Sequence, residues 1–174
     1  MAGLSQLTSQ ALLLGAGGKT KAEIEQLVDF LGASLNSDGS MEGSSLRANF
    51  MAKDTEQMLA VLHSVLTQPS FDQTEFDKLK ARQIAAVAQA KESPRMVMEQ
   101  YFNKLVFGSH PYGNASSGTA ESLKGISQAQ VKNFHQSFYQ PGNTAISIVG
   151  DFKPQQMKAQ LQKIFASWKN GDAV

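Results

Sequence analysis

The chain has 174 residues, enough for one domain whose single core removes roughly two thirds of the unfolded surface from water. Sixteen basic and fifteen acidic residues leave a net charge of +1, so no broad field exists to draw in nucleic acid, an anionic membrane or a strongly acidic substrate. Cysteine is absent, which excludes disulfides, thiolate nucleophiles and cysteine-rich zinc sites and fits cytosol and periplasm alike.

Met1 to Gln10 has no basic residue ahead of its short apolar run and does not read as a secretory signal. The longest apolar runs, Ala11 to Leu14 and Ala145 to Val149, fall far short of the roughly 20 residues a membrane span requires. Gly15, Gly17 and Gly18 before Lys19-Thr20 imitate a phosphate loop, but the G-x-x-x-x-G-K-[ST] spacing puts Leu13 where its first glycine belongs. A turn between two helices accounts for these glycines. Capping boxes, in which a short polar side chain and a Glu or Gln three residues on satisfy each other's backbone amides, are read at Thr20 with Glu23, Asp54 with Gln57, Asp72 with Glu75 and Ser127 with Gln130.

After Thr20, Ile24, Leu27, Val28 and Leu31 recur at helical spacing, and Gly32 stands where a left-handed cap is wanted. The period then drops to two. Leu46, Ala48 and Phe50 alternate with polar neighbours as in a half-buried strand, Ala33 to Asp38 is expected as its antiparallel partner, and Asp38-Gly39-Ser40 as the turn between them. Met58, Leu59, Leu62, Val65 and Leu66 mark a helix ending before Pro69, and Asp72 opens a long one to about Lys91, interrupted at Pro94. Met98, Tyr101, Phe102 and Leu105 form the next apolar stripe, residues 108–118 a loop, and helices resume at Ser127. Asn143 to Val149 reads as a buried strand, and Met157, Leu161, Ile164, Phe165 and Trp168 as a last amphipathic helix. The predicted class is α+β, an antiparallel sheet with helices on one face, in one domain over residues 1–168 with a tail at 169–174.

Four segments resemble, in order and spacing, the amino-terminal half of subunits of the insulinase/pitrilysin family of zinc metallopeptidases. They are Leu12-Leu13-Leu14-Gly15 through Glu23-Ile24-Glu25; Leu31 to Asn36; His110-Pro111-Tyr112-Gly113 with Gly118-Thr119 and Glu121-Ser122-Leu123; and Tyr139 to Asn143 leading to Val149-Gly150-Asp151-Phe152. Catalytic members carry H-x-x-E-H on a helix before the first segment, with a further zinc-binding Glu on a later helix. Aligned through Gly15, Gln6 and Gln10 replace the two histidines and Ser9 the catalytic glutamate. Counted back from Pro94, the later ligand falls on Ala86 and a second acidic position on Leu79. His63, His110 and His135 have no metal-ligand spacing and are expected to pack, cap or lie at the surface. No G-x-S-x-G elbow or triad setting appears.

The resemblance implies a non-catalytic domain that partners a catalytic subunit or domain and helps to shape its substrate chamber, with no cofactor of its own and zinc only in the partner. Ser34, Leu35, Asn36 and Ser37 correspond to the strand with which active relatives hold an unfolded peptide. Two rival readings are an active zinc metallopeptidase whose metal site lies in another domain or chain, and a purely structural assembly subunit. The resemblance further favours the bacterial periplasm and implies strands and an export signal ahead of Gln6. The isolated chain is accordingly expected to self-associate, through strands or through the helix of Leu4, Leu7, Ala11 and Leu14.

Overall fold

In the computed structural model, which describes residues 1–171, helices and two small antiparallel ribbons make an α+β fold. Helix α1 (Leu4–Ala11) lies at its centre and continues into a 3₁₀ turn at Leu12–Leu14. The first ribbon, β1 (Gly15–Ala16) with β2 (Lys19–Thr20), turns through Gly17 and Gly18, both left-handed at φ of 58° and 80°. Helix α2 (Lys21–Phe30) then starts at a complete capping box, with Thr20 Oγ1 accepting the Glu23 N–H and Glu23 accepting the Thr20 N–H.

Strands β3 (Ser34–Gly39) and β4 (Ser44–Asn49) form the second ribbon, in a register that pairs Ser34 with Asn49 and Gly39 with Ser44. Leu35, Leu46 and Ala48 pack on the core while Asn36, Asp38, Arg47 and Asn49 face solvent. The turn lies two residues later than expected, at Ser40–Gly43, where the Ser40 N–H donates to the Gly43 carbonyl at 2.7 Å. Gly39 is needed inside the strand. A Cβ there would sit 2.7 Å from Gln6 Cα, so a strand with any side chain at 39 could not cross α1.

Helices α3 (Thr55–Thr67), α4 (Gln73–Ala90), α5 (Pro94–Phe107), α6 (Ala120–Gly125), α7 (Gln128–Phe138) and α8 (Pro154–Ile164) complete the order. Asp72 and Ser127 cap α4 and α7 as expected, and Thr119 with Ser122 caps the unforeseen α6. Asp54 does not cap α3. A 3₁₀ turn at Ala52–Asp54 runs straight into that helix, so the backbone at 54 is not extended and its carboxylate pairs with Lys53 Nζ at 2.9 Å.

Leu7, Leu12, Met58, Phe76, Leu123 and Val131 form the centre of the core. Leu7, Ala11 and Leu14 are buried and Leu4 packs partly buried against the core, so internal packing takes up the helix expected as a route to self-association. The stripe of α5 behaves oppositely. Met98, Tyr101, Phe102 and Leu105 are 62–85% exposed, and the helix buries no residue. Residues 144–149 run without strand pairing, with Val149 95% exposed, because no described strand lies beside them. The expected single sheet is thus two ribbons. The chain beyond α8 is irregular through Gly171, and residues 172–174 of the expected tail lie outside the described residues. No described helix is long and apolar enough to cross a membrane.

Candidate functional site

Residues four apart share a helix face, so Gln6 and Gln10 of α1 point the same way. They face α4, and the space between the two helices is an open cleft of about 540 Å³. From α4 the cleft is lined by Leu79, Arg82, Gln83 and Ala86, and from β3 by Ser37. The structure thus brings together Gln6, Gln10, Ala86 and Leu79, residues far apart in sequence, and sets the end of the expected peptide strand beside them. Gln83 is buried and donates from Nε2 to the Ser117 carbonyl at 3.2 Å, tying α4 to the loop before α6.

Ser9 stands apart from this cleft. It is fully buried, and its Oγ lies 2.9 Å from the Ser5 carbonyl, 2.8 Å from Ser44 Oγ and 2.9 Å from Tyr139 Oη. One proton and two lone pairs are all usable in that setting, so the hydroxyl is satisfied by α1, β4 and the end of α7. Ser37 is the contrasting case. Its Oγ is buried without a hydrogen-bond partner among the described residues. Such a group costs about 1–3 kcal/mol unless something satisfies it.

The backbone of β3 carries a second consequence of the register. Hydrogen-bonded and non-hydrogen-bonded pairs alternate along an antiparallel ladder. The Ser40–Gly43 bond makes Asp38–Ser45 and Asn36–Arg47 the bonded pairs. The N–H and C=O groups of Leu35 and Ser37 therefore point to the other edge, which no described strand covers.

Charge enters the cleft from Lys21, Glu25 and Arg82. Lys21 Nζ lies 3.6 Å from Glu25 and 3.8 Å from Glu75, whereas Arg82 has no acidic partner among the described residues. The Lys78 ammonium, bonded to Glu75, is the main reason that carboxylate titrates below its ordinary value.

The histidines lie elsewhere. His63 packs edge-on to Phe165, and His110 accepts the Tyr112 N–H at Nδ1 in the turn at Pro111–Gly113. His135 is buried, donates from Nε2 to the Leu66 carbonyl at 2.8 Å and stacks on Tyr139 at 4.9 Å. Sequence reasoning missed Arg82 and Gln83, although counting back one turn from Ala86 reaches both. It also missed the contact of Ser9 with Tyr139, a pairing across 130 residues that no local pattern records.

The model of the insulinase family (peptidase family M16) matches residues 1–120. The chain belongs to the insulinase family. Residues 125–173 match the model described as the peptidase M16 inactive domain. A Helicobacter pylori protein named a non-peptidase homologue is 25% identical over 171 residues, which are 98% of this chain and 40% of that protein. The crystal structure of a peptidase M16 inactive domain from Pseudomonas fluorescens superposes with a TM-score of 0.90 at 28% identity, covering 99% of this chain and 42% of that one. The periplasmic protease PqqL of Escherichia coli shares the fold at a TM-score of 0.84 and 16% identity, over 99% of this chain and 20% of its own. This chain spans about two fifths of the length of the curated relatives it matches.

Active insulinase-family members use zinc, and the donors here do not fit it. Gln6 and Gln10 offer neutral amides in place of imidazoles, Ser9 is turned into the core, and Ala86 offers no donor. No cluster of three His, Asp or Glu suited to a metal occurs among the described residues.

Proposed function

We propose that this domain is a non-catalytic, peptide-holding unit of an insulinase-family assembly. Zinc and hydrolysis belong to a catalytic subunit or domain beside it, and its own part is to shape the chamber the two enclose. One observation carries this reading: the space between α1 and α4 is kept open at Gln6, Gln10 and Ala86, and the uncovered edge of β3, Ser34-Leu35-Asn36-Ser37, leads into it. An extended peptide added there would gain main-chain bonds from Leu35 and Ser37 with little sequence preference. The relation to a Helicobacter pylori non-peptidase homologue supports the absence of catalysis. The likeness to a periplasmic protease supports a periplasmic setting.

The test is binding of an unstructured fluorescent peptide to the complete protein. Ser37→Pro removes an outward N–H and leaves the bonds to β4 intact, so it should weaken binding about five- to tenfold, the worth of one main-chain hydrogen bond. Metal analysis of the isolated, dialysed domain should find no stoichiometric zinc. Failure of the complete protein to bind any peptide would overturn the reading.

A further inference from the structure

The cleft has an unbalanced charge and an unfilled set of donors. Of its charged residues, Lys21 and Glu25 pair with each other, and Lys21 also reaches Glu75, which leaves the Arg82 guanidinium without an acidic partner among the described residues. On α1, Thr8 and Ser9 are the side chains that hydrogen-bond within the described chain, so the amides of Gln6 and Gln10 are unengaged. Ser37 Oγ, at the same cleft, is buried and has no hydrogen-bond partner among the described residues. A planar guanidinium in a cleft that also offers neutral donors matches one ligand chemistry above others, a carboxylate held in bidentate fashion with its remaining lone pairs taken by amide and hydroxyl groups.

We propose that the cleft between α1 and α4 binds a peptide carboxylate, with Arg82 as its counter-charge and Gln6, Gln10 and Ser37 as neutral donors. This rests on the peptide-holding reading and adds which part of the peptide the cleft selects. The main-chain edge at Leu35 and Ser37 aligns the peptide, and the carboxylate fixes its register. A chain end supplies such a group on every peptide, so a protein reading it would select products and termini over internal segments. An aspartate side chain facing inward beside Ser37 is the other source.

The experiment measures anisotropy of one labelled peptide sequence on the complete protein in several forms. These are the free C-terminal acid, the C-terminal carboxamide, and a carboxamide with an inward Asp or its Asn equivalent. The free acid should bind about tenfold tighter than the carboxamide, as one charge-assisted contact allows. Arg82→Gln should abolish that difference, and Arg82→Lys should restore part of it. Arg82 is exposed, so these variants should fold, and circular dichroism verifies it. A gain from Asp over Asn that also depends on Arg82, without a gain from the free acid, assigns the site to side chains. Equal binding of all forms, or a preference that survives Arg82→Gln, overturns the proposal while peptide holding stands. Absence of binding in every form overturns both.

Discussion

Ser9, Tyr139 and His135 form a polar seam inside the fold, and burial acts on the imidazole of His135. Burial pushes its imidazole below the ordinary value of 6.5, and the bond to the Leu66 carbonyl offsets this only in part. Burial lowers His63 in the same direction. A histidine held low in the folded state stays neutral there while the unfolded chain already takes up a proton. Its stabilising contribution is complete above about pH 6.5 and is lost as pH falls through the folded value. Urea midpoints should therefore be level from pH 8 to 7 and decline towards pH 5. His135→Gln should flatten that decline in proportion to the share His135 holds. A midpoint that rises on acidification would show that burial does not govern these groups.

At the scale of elements, the crossing of β3 over α1 depends on one missing atom. Gly39→Ala puts a methyl 2.7 Å from Gln6 Cα and as close to the Ser5 carbonyl, so either strand or helix must move. The cost should be about 1–3 kcal/mol, read as a lower denaturation midpoint with an unchanged slope. The misplaced turn has the same origin. Asp38-Gly39-Ser40 has turn chemistry, and the reason Gly39 sits in a strand instead is its close approach to Gln6 of α1, far away in sequence. Helices were legible where a cap and an apolar period agreed, as at Thr20, Asp72 and Ser127. Asp54 shows the limit, since the same residue types act as a cap only if the backbone before the helix is extended. The positions of the cleft were legible as a family alignment of Gln6, Gln10 and Ala86. Its charge was not, because Arg82 acquires meaning only when α1 and α4 are set side by side. The strand expected at 143–149 has a strand's residues, but pairing needs a neighbour, and sequence period says nothing about whether one is present.

In the whole molecule, packing is uneven. Everything around α1 is interlocked, whereas α5 presents Met98, Tyr101, Phe102 and Leu105 to solvent, and residues 144–149 run without strand pairing. Exposed apolar area of this kind promotes association. Sedimentation of the isolated chain should show mass growing with concentration, and Leu105→Glu should reduce it; a monomer at every concentration would count against an association role for this face. A 14-residue helix with no fully buried residue also draws little stability from the rest of the fold. Its amides should exchange with deuterium through local opening, far sooner than those of α1 and α3, which need global unfolding. The contrast makes α5 a reporter on its own surroundings. Any subunit, peptide-loaded chamber wall or second copy that settles on its apolar stripe must slow exchange across residues 94–107, and will do so before the partner has been identified.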